Sequence, residues 1–222
     1  MSITPEEVQK LLQSQDYGEK IRGLNQLRHL DISIAYELLK PLVKDKNERV
    51  RYAAVSQLAM VGRANPTDCL ELLKDVLYHD PEVDVRAAAA DSLAGLGLKE
   101  AFSDLKQVYQ QTEDWLLRFS IIAALGELGV AEGFELLLDA LNSGNPLLQT
   151  TAISALGELG DKRAVPFLLP FVENSDWQIR YRLTQALGRL KGEAGGVEVR
   201  AALEKLAQDE VDIIATEAKN YL

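Results

Sequence analysis

The 222-residue sequence predicts an all-α fold, a right-handed α-solenoid of about seven helical hairpins. Three observations support this prediction. Hydrophobic residues make up 47 % of the chain and aromatic residues only 6 %, a balance that favours closely packed helices over a β-sandwich. A leucine-based motif recurs at nearly constant spacing. The prolines and glycines fall at regular places rather than in one linker.

The recurring motif is an aliphatic residue, usually followed by Arg, then small residues, then Leu-x-x-Leu-Gly. Its first Leu recurs in steps of 31, 35, 32, 31, 31 and 34 residues. Within one copy, apolar or small residues occupy offsets 0, 3, 4, 8 and 11, which form one face of a helix. HEAT and armadillo repeats are usually about 40 residues long, so this spacing predicts short HEAT-like repeats. The equivalent residues are Leu27, Leu58, Leu93, Leu125, Leu156, Leu187 and Tyr221.

A second amphipathic stretch precedes each motif, so each repeat is predicted to be a hairpin of a helix A and a helix B. The first helix A is predicted over residues 4–13, because Thr4-Pro5-Glu6-Glu7 provides an N-cap, a proline and first-turn acids. The Gly that ends the motif fits a left-handed helix stop. The last helix B is predicted over residues 212–222. Further A helices are predicted over residues 34–43, 70–77, 101–109, 134–141 and 164–172.

Short polar side chains stand six residues before the Arg position of each motif, where they are predicted to cap helix B or to tie the A–B turn. They are Asp45, Asp80, Thr112, Ser143 and Asn174. Residues 1–222 are predicted to form a single domain. The glycine-rich residues 192–196 are the one weak joint, which is either a longer loop or the cause of greater mobility in the last repeat, residues 193–222.

Charge and composition exclude several classes of function. The net charge of −10 and the pI of about 4.8 argue against binding to nucleic acid. A single cysteine, Cys69, excludes an internal disulfide, and it is either a small apolar residue or an acidified thiol at a helix start. His29 and His79 match no metal-ligand spacing. No signal peptide or transmembrane segment is recognised, so we expect a cytoplasmic protein.

Aromatic side chains recur near the predicted starts of the B helices. Trp115 and Trp177 occupy the same repeat position. Phe119 and Tyr181 follow them by one helical turn, so each pair shares a helix face, and Tyr52 occupies the position of Phe119 in an earlier repeat. Trp and Tyr bury much area at low entropy cost, which predicts a surface for a partner or a flat ligand. The alternative is that these rings cover the ends of neighbouring helices.

Arginine recurs beside the aliphatic residue that opens the motif, at Arg51, Arg86, Arg118 and Arg180. These side chains either lock each hairpin to the next through turn carboxylates or carbonyls, or bind a ligand carboxylate. Arg182 lies outside this period, beside Tyr181, and is therefore freer to serve function. No catalytic motif or phosphate-binding loop is present. The predicted partner-binding residues are Tyr52, Trp115, Phe119, Trp177, Arg180, Tyr181 and Arg182.

Several segments carry a family resemblance that covers essentially the whole chain. The most specific are SDWQIRYR at residues 175–182, TAISALGELG at 151–160 and FSIIAALGELG at 119–129, joined by residues 2–6 and 45–52. They resemble cyanobacterial HEAT-repeat proteins related to the E/F-type phycobilin lyases, especially the NblB-type phycobilisome degradation proteins.

The resemblance implies a role around phycobiliproteins. Lyases of this type attach bilins to cysteines or remove them, and NblB-type proteins are linked to pigment detachment and antenna breakdown. It implies phycobiliprotein subunits as partners, a phycobilin as candidate ligand and no resident cofactor. A related member instead partners the A-type iron–sulfur carrier IscA, which makes a non-enzymatic adaptor the alternative. No catalytic residue of the family maps onto this chain, so any lyase-like activity is implied by resemblance alone.

Overall fold

The computed structural model describes residues 3–191 and 196–222. Within these residues the secondary structure is helical and contains no strand, so the predicted all-α class is confirmed. Backbone contacts divide the chain into two compact units, Met1–Ala124 and Leu125–Leu222. The single domain over 1–222 stays a prediction, as does the mobility of the last repeat. Residues 192–195 of the predicted weak joint lie outside the described residues.

The first unit contains three helical hairpins and most of a fourth. Its B helices α2, α4 and α6 pack against one another in succession, and its A helices α5 and α7 are also in contact. Its A–B pairs are α1 (Pro5–Leu12) with α2 (Tyr17–Gln26), α3 (Ile32–Leu39) with α4 (Glu48–Val61), α5 (Pro66–His79) with α6 (Val83–Gly95), and α7 (Phe102–Gln111) with α8 (Trp115–Leu128), the helix that contains the boundary between the units.

The second unit continues the same pattern with three further A–B pairs. Its B helices α10, α12 and α14 pack in succession. In the described residues, the two units together hold fourteen α-helices, in agreement with the predicted number of hairpins. The pairs are α9 (Phe134–Leu141) with α10 (Pro146–Leu159), α11 (Val165–Leu168) with α12 (Trp177–Leu190), and α13 (Gly196–Leu206) with α14 (Asp212–Asn220).

Two of the A helices are shorter than predicted. The stretches expected over residues 34–43 and 164–172 begin as α3 and α11 and continue as 3-10 helices, Lys40–Lys44 and Leu169–Glu173. Pro41 or Pro170 is the second residue of each 3-10 segment. Proline lacks the backbone N–H and crowds the carbonyl four residues earlier, so the α-helical hydrogen bonding stops there.

The predicted leucine positions form the core of each unit. All six leucines of the repeated column are completely buried. Tyr221 takes the equivalent place in the last repeat, where it is half-buried and its hydroxyl donates to Glu217 Oε1 at 3.0 Å. The repeat period therefore marks the side chains whose burial stabilises the stacked hairpins.

Two glycines near the end of α10 serve different purposes. Gly160 ends the helix at φ 69°, the left-handed stop predicted for the last residue of the motif. Gly157 lies against α12, where an added Cβ would sit 2.6 Å from the Cα of Ala186. A side chain at residue 157 would therefore force α10 and α12 apart, a constraint that the repeat pattern did not reveal.

Candidate functional site

In most A–B turns, two polar side chains spaced two residues apart accept hydrogen bonds from backbone N–H groups and so fix the start of helix B. The five predicted turn side chains each accept a hydrogen bond from the backbone N–H two residues later, at 2.9–3.2 Å, so their predicted role is confirmed. In four of these turns, the side chain two residues further on also accepts a hydrogen bond, from a backbone N–H in the first turn of helix B. These four residues are Asn47, Asp114, Asn145 and Asp176. These caps were missed, although they recur four residues before the Arg position.

The two tryptophans lie at the predicted place, since Trp115 is the first residue of α8 and Trp177 the first of α12. Trp115 is 52 % exposed and Trp177 is 47 % exposed. Among the described residues, six of the twelve large exposed hydrophobic side chains lie in the first five residues of a B helix. They are Tyr17, Tyr52 and Trp115 in the first unit, and Leu147, Trp177 and Ile213 in the second.

On the second unit, Trp177, Tyr181 and Arg182 form what we call the α12 surface. Trp177 and Tyr181 are one turn apart, and the Tyr181 hydroxyl accepts a hydrogen bond from Gln185 Nε2 at 3.2 Å. Arg182 is exposed, and its Nη1 is 3.4 Å from Gln185 Oε1. No carboxylate among the described residues pairs with Arg182. The α12 surface therefore offers an indole, a phenol and a cation to an incoming ligand.

On the first unit, Tyr52 lies in a different electrostatic setting. It lines a cleft of about 220 Å³ together with Glu48, Arg49, Glu82, Asp84 and Val85. Three carboxylates and one guanidinium give this cleft an acidic character, which disfavours an anionic ligand. Arg49 also lies 5.9 Å from the ring centroid of Tyr17, the first residue of α2. Sequence reasoning missed Tyr17, although it lies ten residues before Leu27, as Trp115 lies ten residues before Leu125.

The remaining aromatic candidate, Phe119, is half-buried on α8, one turn after Trp115. Of the two rings, that of Trp115 is the more exposed. Phe119 therefore contributes less accessible area than its repeat position predicted.

The contacts of Arg180 favour the locking interpretation over a role in ligand binding. It is only 8 % exposed, and its Nε and Nη2 donate to the Asp209 carboxylate at 2.7 and 3.0 Å. Its Nη1 donates to the carbonyl of Asn174 at 2.7 Å. The hydrogen bonds from Arg180 hold the pKa of Asp209 below its usual range. Since these donors are occupied, the geometry favours a structural role for Arg180, and its place in a ligand-binding set stays a prediction.

Arg51 repeats this geometry and supports the locking interpretation. Its Nε and Nη2 donate to the Asp80 carboxylate at 2.7 and 3.0 Å, and its Nη1 donates to the carbonyl of Asp45 at 3.0 Å. Each of these guanidinium groups thus joins its own turn to the next one. Arg118 donates instead to the carbonyl of Thr112 at 2.8 Å, and Arg86 to that of Leu77 at 2.8 Å.

Cys69 and His79 lie near opposite ends of α5. Cys69 is completely buried near the start of α5, and burial raises the pKa of its thiol to about 12. His79 ends α5, where it is exposed and lies 3.0 Å from Asp75. Residues 3–191 and 196–222 hold no group of His, Cys, Asp or Glu that could bind a metal ion. No helix in these ranges is both long and apolar enough to cross a membrane.

Repeated A–B hairpins with this motif define the class of helical-repeat proteins that present an extended surface to other macromolecules. The family model for HEAT repeats matches residues 70–145 and 134–221. The chain therefore belongs to the HEAT-repeat family. A comparison with curated proteins gave no match.

Three solved structures share the fold along nearly the whole chain. The complex of CpcE and CpcF of phycocyanin lyase from Nostoc sp. PCC7120 matches at 22 % identity and TM-score 0.66, covering 100 % of this chain and 94 % of that one. The protein YibA of Escherichia coli matches at 17 % identity and TM-score 0.69, covering 98 % of this chain and 80 % of that one. A HEAT-like repeat protein of Thermococcus onnurineus NA1 matches at 16 % identity and TM-score 0.60, covering 99 % of this chain and 95 % of that one. At these identities the similarity shows the fold alone.

Proposed function

We propose that the protein is a protein-binding HEAT-repeat scaffold of the phycobilin-lyase-like group, acting on phycobiliproteins or their bilin chromophores in antenna degradation or chromophore detachment. The observation that carries the proposal is the α12 surface, where Trp177 stays 47 % exposed beside Tyr181 and Arg182. The sequence resemblance supports the choice of partner. So does the structural similarity to a complex that is itself named as a phycocyanin lyase.

The chemistry of the α12 surface suits a bilin. An open-chain tetrapyrrole is flat and carries two propionates, so its rings can stack on Trp177 and Tyr181 while a propionate pairs with Arg182. The net charge of −10 repels an acidic antenna protein at long range. Binding must therefore depend on the apolar contacts and on the local cation.

The proposal is tested by mixing the purified protein with holo-phycocyanin and recording bilin absorbance and fluorescence during size-exclusion chromatography. A loss or shift of bilin absorbance, with free or transferred pigment recovered, supports action on the chromophore. Co-elution with an unchanged spectrum supports a scaffold that binds the antenna protein. An unchanged spectrum without co-elution contradicts the proposal and favours the iron–sulfur carrier as partner.

Variants connect the result to the α12 surface. The double variant Trp177→Ala, Tyr181→Ala should abolish both the change in bilin absorbance and the co-elution with holo-phycocyanin. Its circular dichroism spectrum should stay that of the wild type. Phe167→Ala is the matched control, because it removes a 44 % exposed aromatic ring from helix α11 of the same unit. If bilin handling survives the double variant, these rings are structural and the proposal loses its site.

A further inference from the structure

One turn of the first unit holds a hydroxyl where the two preceding turns hold a carboxylate. At Asp45, Asp80 and Asp209, the turn side chain accepts from a cation of the preceding hairpin, Lys20, Arg51 or Arg180 respectively. Thr112 occupies the equivalent place before α8, and its hydroxyl accepts from the N–H of Asp114 at 3.2 Å. A hydroxyl offers the preceding Arg no negative charge.

The cation that would pair with this turn is Arg86 on α6. It occupies the position of Arg51 and Arg180, and its Nε donates to the carbonyl of Leu77 at 2.8 Å. No carboxylate of residues 3–191 and 196–222 forms an ion pair with Arg86, although its side chain is only partly exposed. Arg86 therefore has no carboxylate partner among these residues, at the repeat position where Arg51 and Arg180 each bind one.

A second guanidinium lies at the same turn. Arg118 Nε donates to the Thr112 carbonyl at 2.8 Å, and Arg118 Nη2 is 3.4 Å from Glu113 Oε1. The Glu113 side chain is 91 % exposed, so this contact is weak. Exposed Trp115 follows Thr112 by three residues. The turn thus combines two cations, a hydroxyl and an indole.

We propose that this turn is a binding site for an external carboxylate, which Arg86 takes with hydrogen bonds from its two Nη groups while its Nε stays on the Leu77 carbonyl. A carboxylate fits better than a spherical anion, because the planar guanidinium matches two oxygens in one plane. The inference does not depend on the proposed action on bilins, since an acidic protein side chain and a tetrapyrrole propionate share this chemistry.

Residues at equivalent positions in other repeats suggest two variants that test the site. Thr112→Asp should fill the site from within, because aspartate already makes the same turn at residues 45, 80 and 209. Arg86→Gln removes the cation and can keep the backbone contact, since Gln149 at the equivalent position donates to the carbonyl of Leu141 at 3.1 Å. Thr112→Asp is also expected to raise Tm by about 2–4 °C.

The test follows the arginine Nε–Hε signals by NMR while sodium acetate is added, with sodium chloride at equal ionic strength as control. The Arg86 signal, assigned by its loss in Arg86→Gln, should shift with acetate and not with chloride, and should stop responding in Thr112→Asp. Equal shifts with both salts, or an unchanged response in Thr112→Asp, would overturn the proposal. Asp80→Thr should give the Arg51 signal a new response to acetate.

The same signal identifies the source of the carboxylate. A response to biliverdin but not to its dimethyl ester assigns the site to tetrapyrrole propionates. A response to a short glutamate-rich peptide but not to its glutamine counterpart assigns it to acidic protein segments. If neither biliverdin nor the glutamate-rich peptide shifts the Arg86 signal, in a protein that binds holo-phycocyanin normally, the site is refuted and the proposed function is not.

Discussion

Arg180 on α12 and Asp209 in the turn before α14 form a two-bond ion pair, with Nε–Oδ2 at 2.7 Å and Nη2–Oδ1 at 3.0 Å. Their side chains are only 10 % and 8 % exposed. Because Arg180 also holds the carbonyl of Asn174, one guanidinium fixes the turns of two consecutive hairpins. Stacking in this part of the second unit therefore depends on charge as well as on buried leucine.

Removing one member of this pair should be costly. Arg180→Ala or Asp209→Asn leaves the other group buried without its partner, which typically destabilises a protein by about 3–5 kcal/mol. Urea unfolding followed by circular dichroism measures the loss. Arg189→Ala is the control, because its 3.4 Å contact with Glu158 is half exposed and should contribute less than about 1 kcal/mol. Equal losses of unfolding free energy would show that the buried Arg180–Asp209 pair stabilises the protein no more than the half-exposed Arg189–Glu158 contact does.

The same pair predicts a pH dependence. The pKa of Asp209 is lowered in the folded protein by its hydrogen bonds from Arg180. Its contribution to stability is therefore complete above the unfolded pKa of about 3.9 and is lost as pH falls through the lower folded pKa. The difference in unfolding free energy between the wild type and Asp209→Asn should narrow below about pH 4. A difference that stays constant from pH 7 down to pH 2.5 contradicts this assignment.

A methyl group at residue 157 should disrupt the contact between α10 and α12. Gly157→Ala places a Cβ 2.6 Å from the backbone of Ala186, and such overpacking costs about 1–3 kcal/mol. Gly95→Ala is a milder comparison, because its Cβ would meet a side-chain methyl, that of Ala59, at 3.3 Å. Thermal unfolding should show a clearly lower Tm for Gly157→Ala than for Gly95→Ala. The reverse order would mean that the two B helices separate easily.

Cys69 should be inert in the folded protein. Its side chain is completely buried, and burial raises the pKa of the thiol to about 12, so almost no thiolate forms at pH 8. Reaction with a disulfide reagent at pH 8 should be many-fold slower in native protein than in urea-unfolded protein. Rapid native modification would point instead to an accessible, activated thiol at the start of α5.

Much of the fold was predictable because the same pattern of buried residues recurs in each repeat. The leucine column and the turn residues follow from side-chain periodicity alone, and the structure places both as expected. The partner of Arg180 could not be predicted, because Asp209 lies 29 residues away in a hairpin that departs from the motif. The 3-10 segments at Pro41 and Pro170 depend on one residue each, which an average over repeats conceals.

The candidate site was predictable only in part. Sequence placed Trp115 and Trp177 at the starts of B helices, because both fall in one repeat column. Tyr17 occupies the same repeat position, ten residues before Leu27, as Trp115 does before Leu125. Leu147 and Ile213 lie outside that position, although they are exposed at helix starts. Exposure decides which of these side chains a partner can reach, and repeat spacing carries little information about exposure.

The most direct test of the central claim is the affinity for holo-phycocyanin, measured by sedimentation velocity for the wild type, Trp177→Ala and the control Phe167→Ala. We expect saturable binding by the wild type and unchanged binding by Phe167→Ala. Binding by Trp177→Ala should be about 30-fold weaker, as for an interface anchor that contributes about 2 kcal/mol. Equal affinity for all three, or no binding by the wild type, would contradict the assignment of the α12 surface as the partner-binding site.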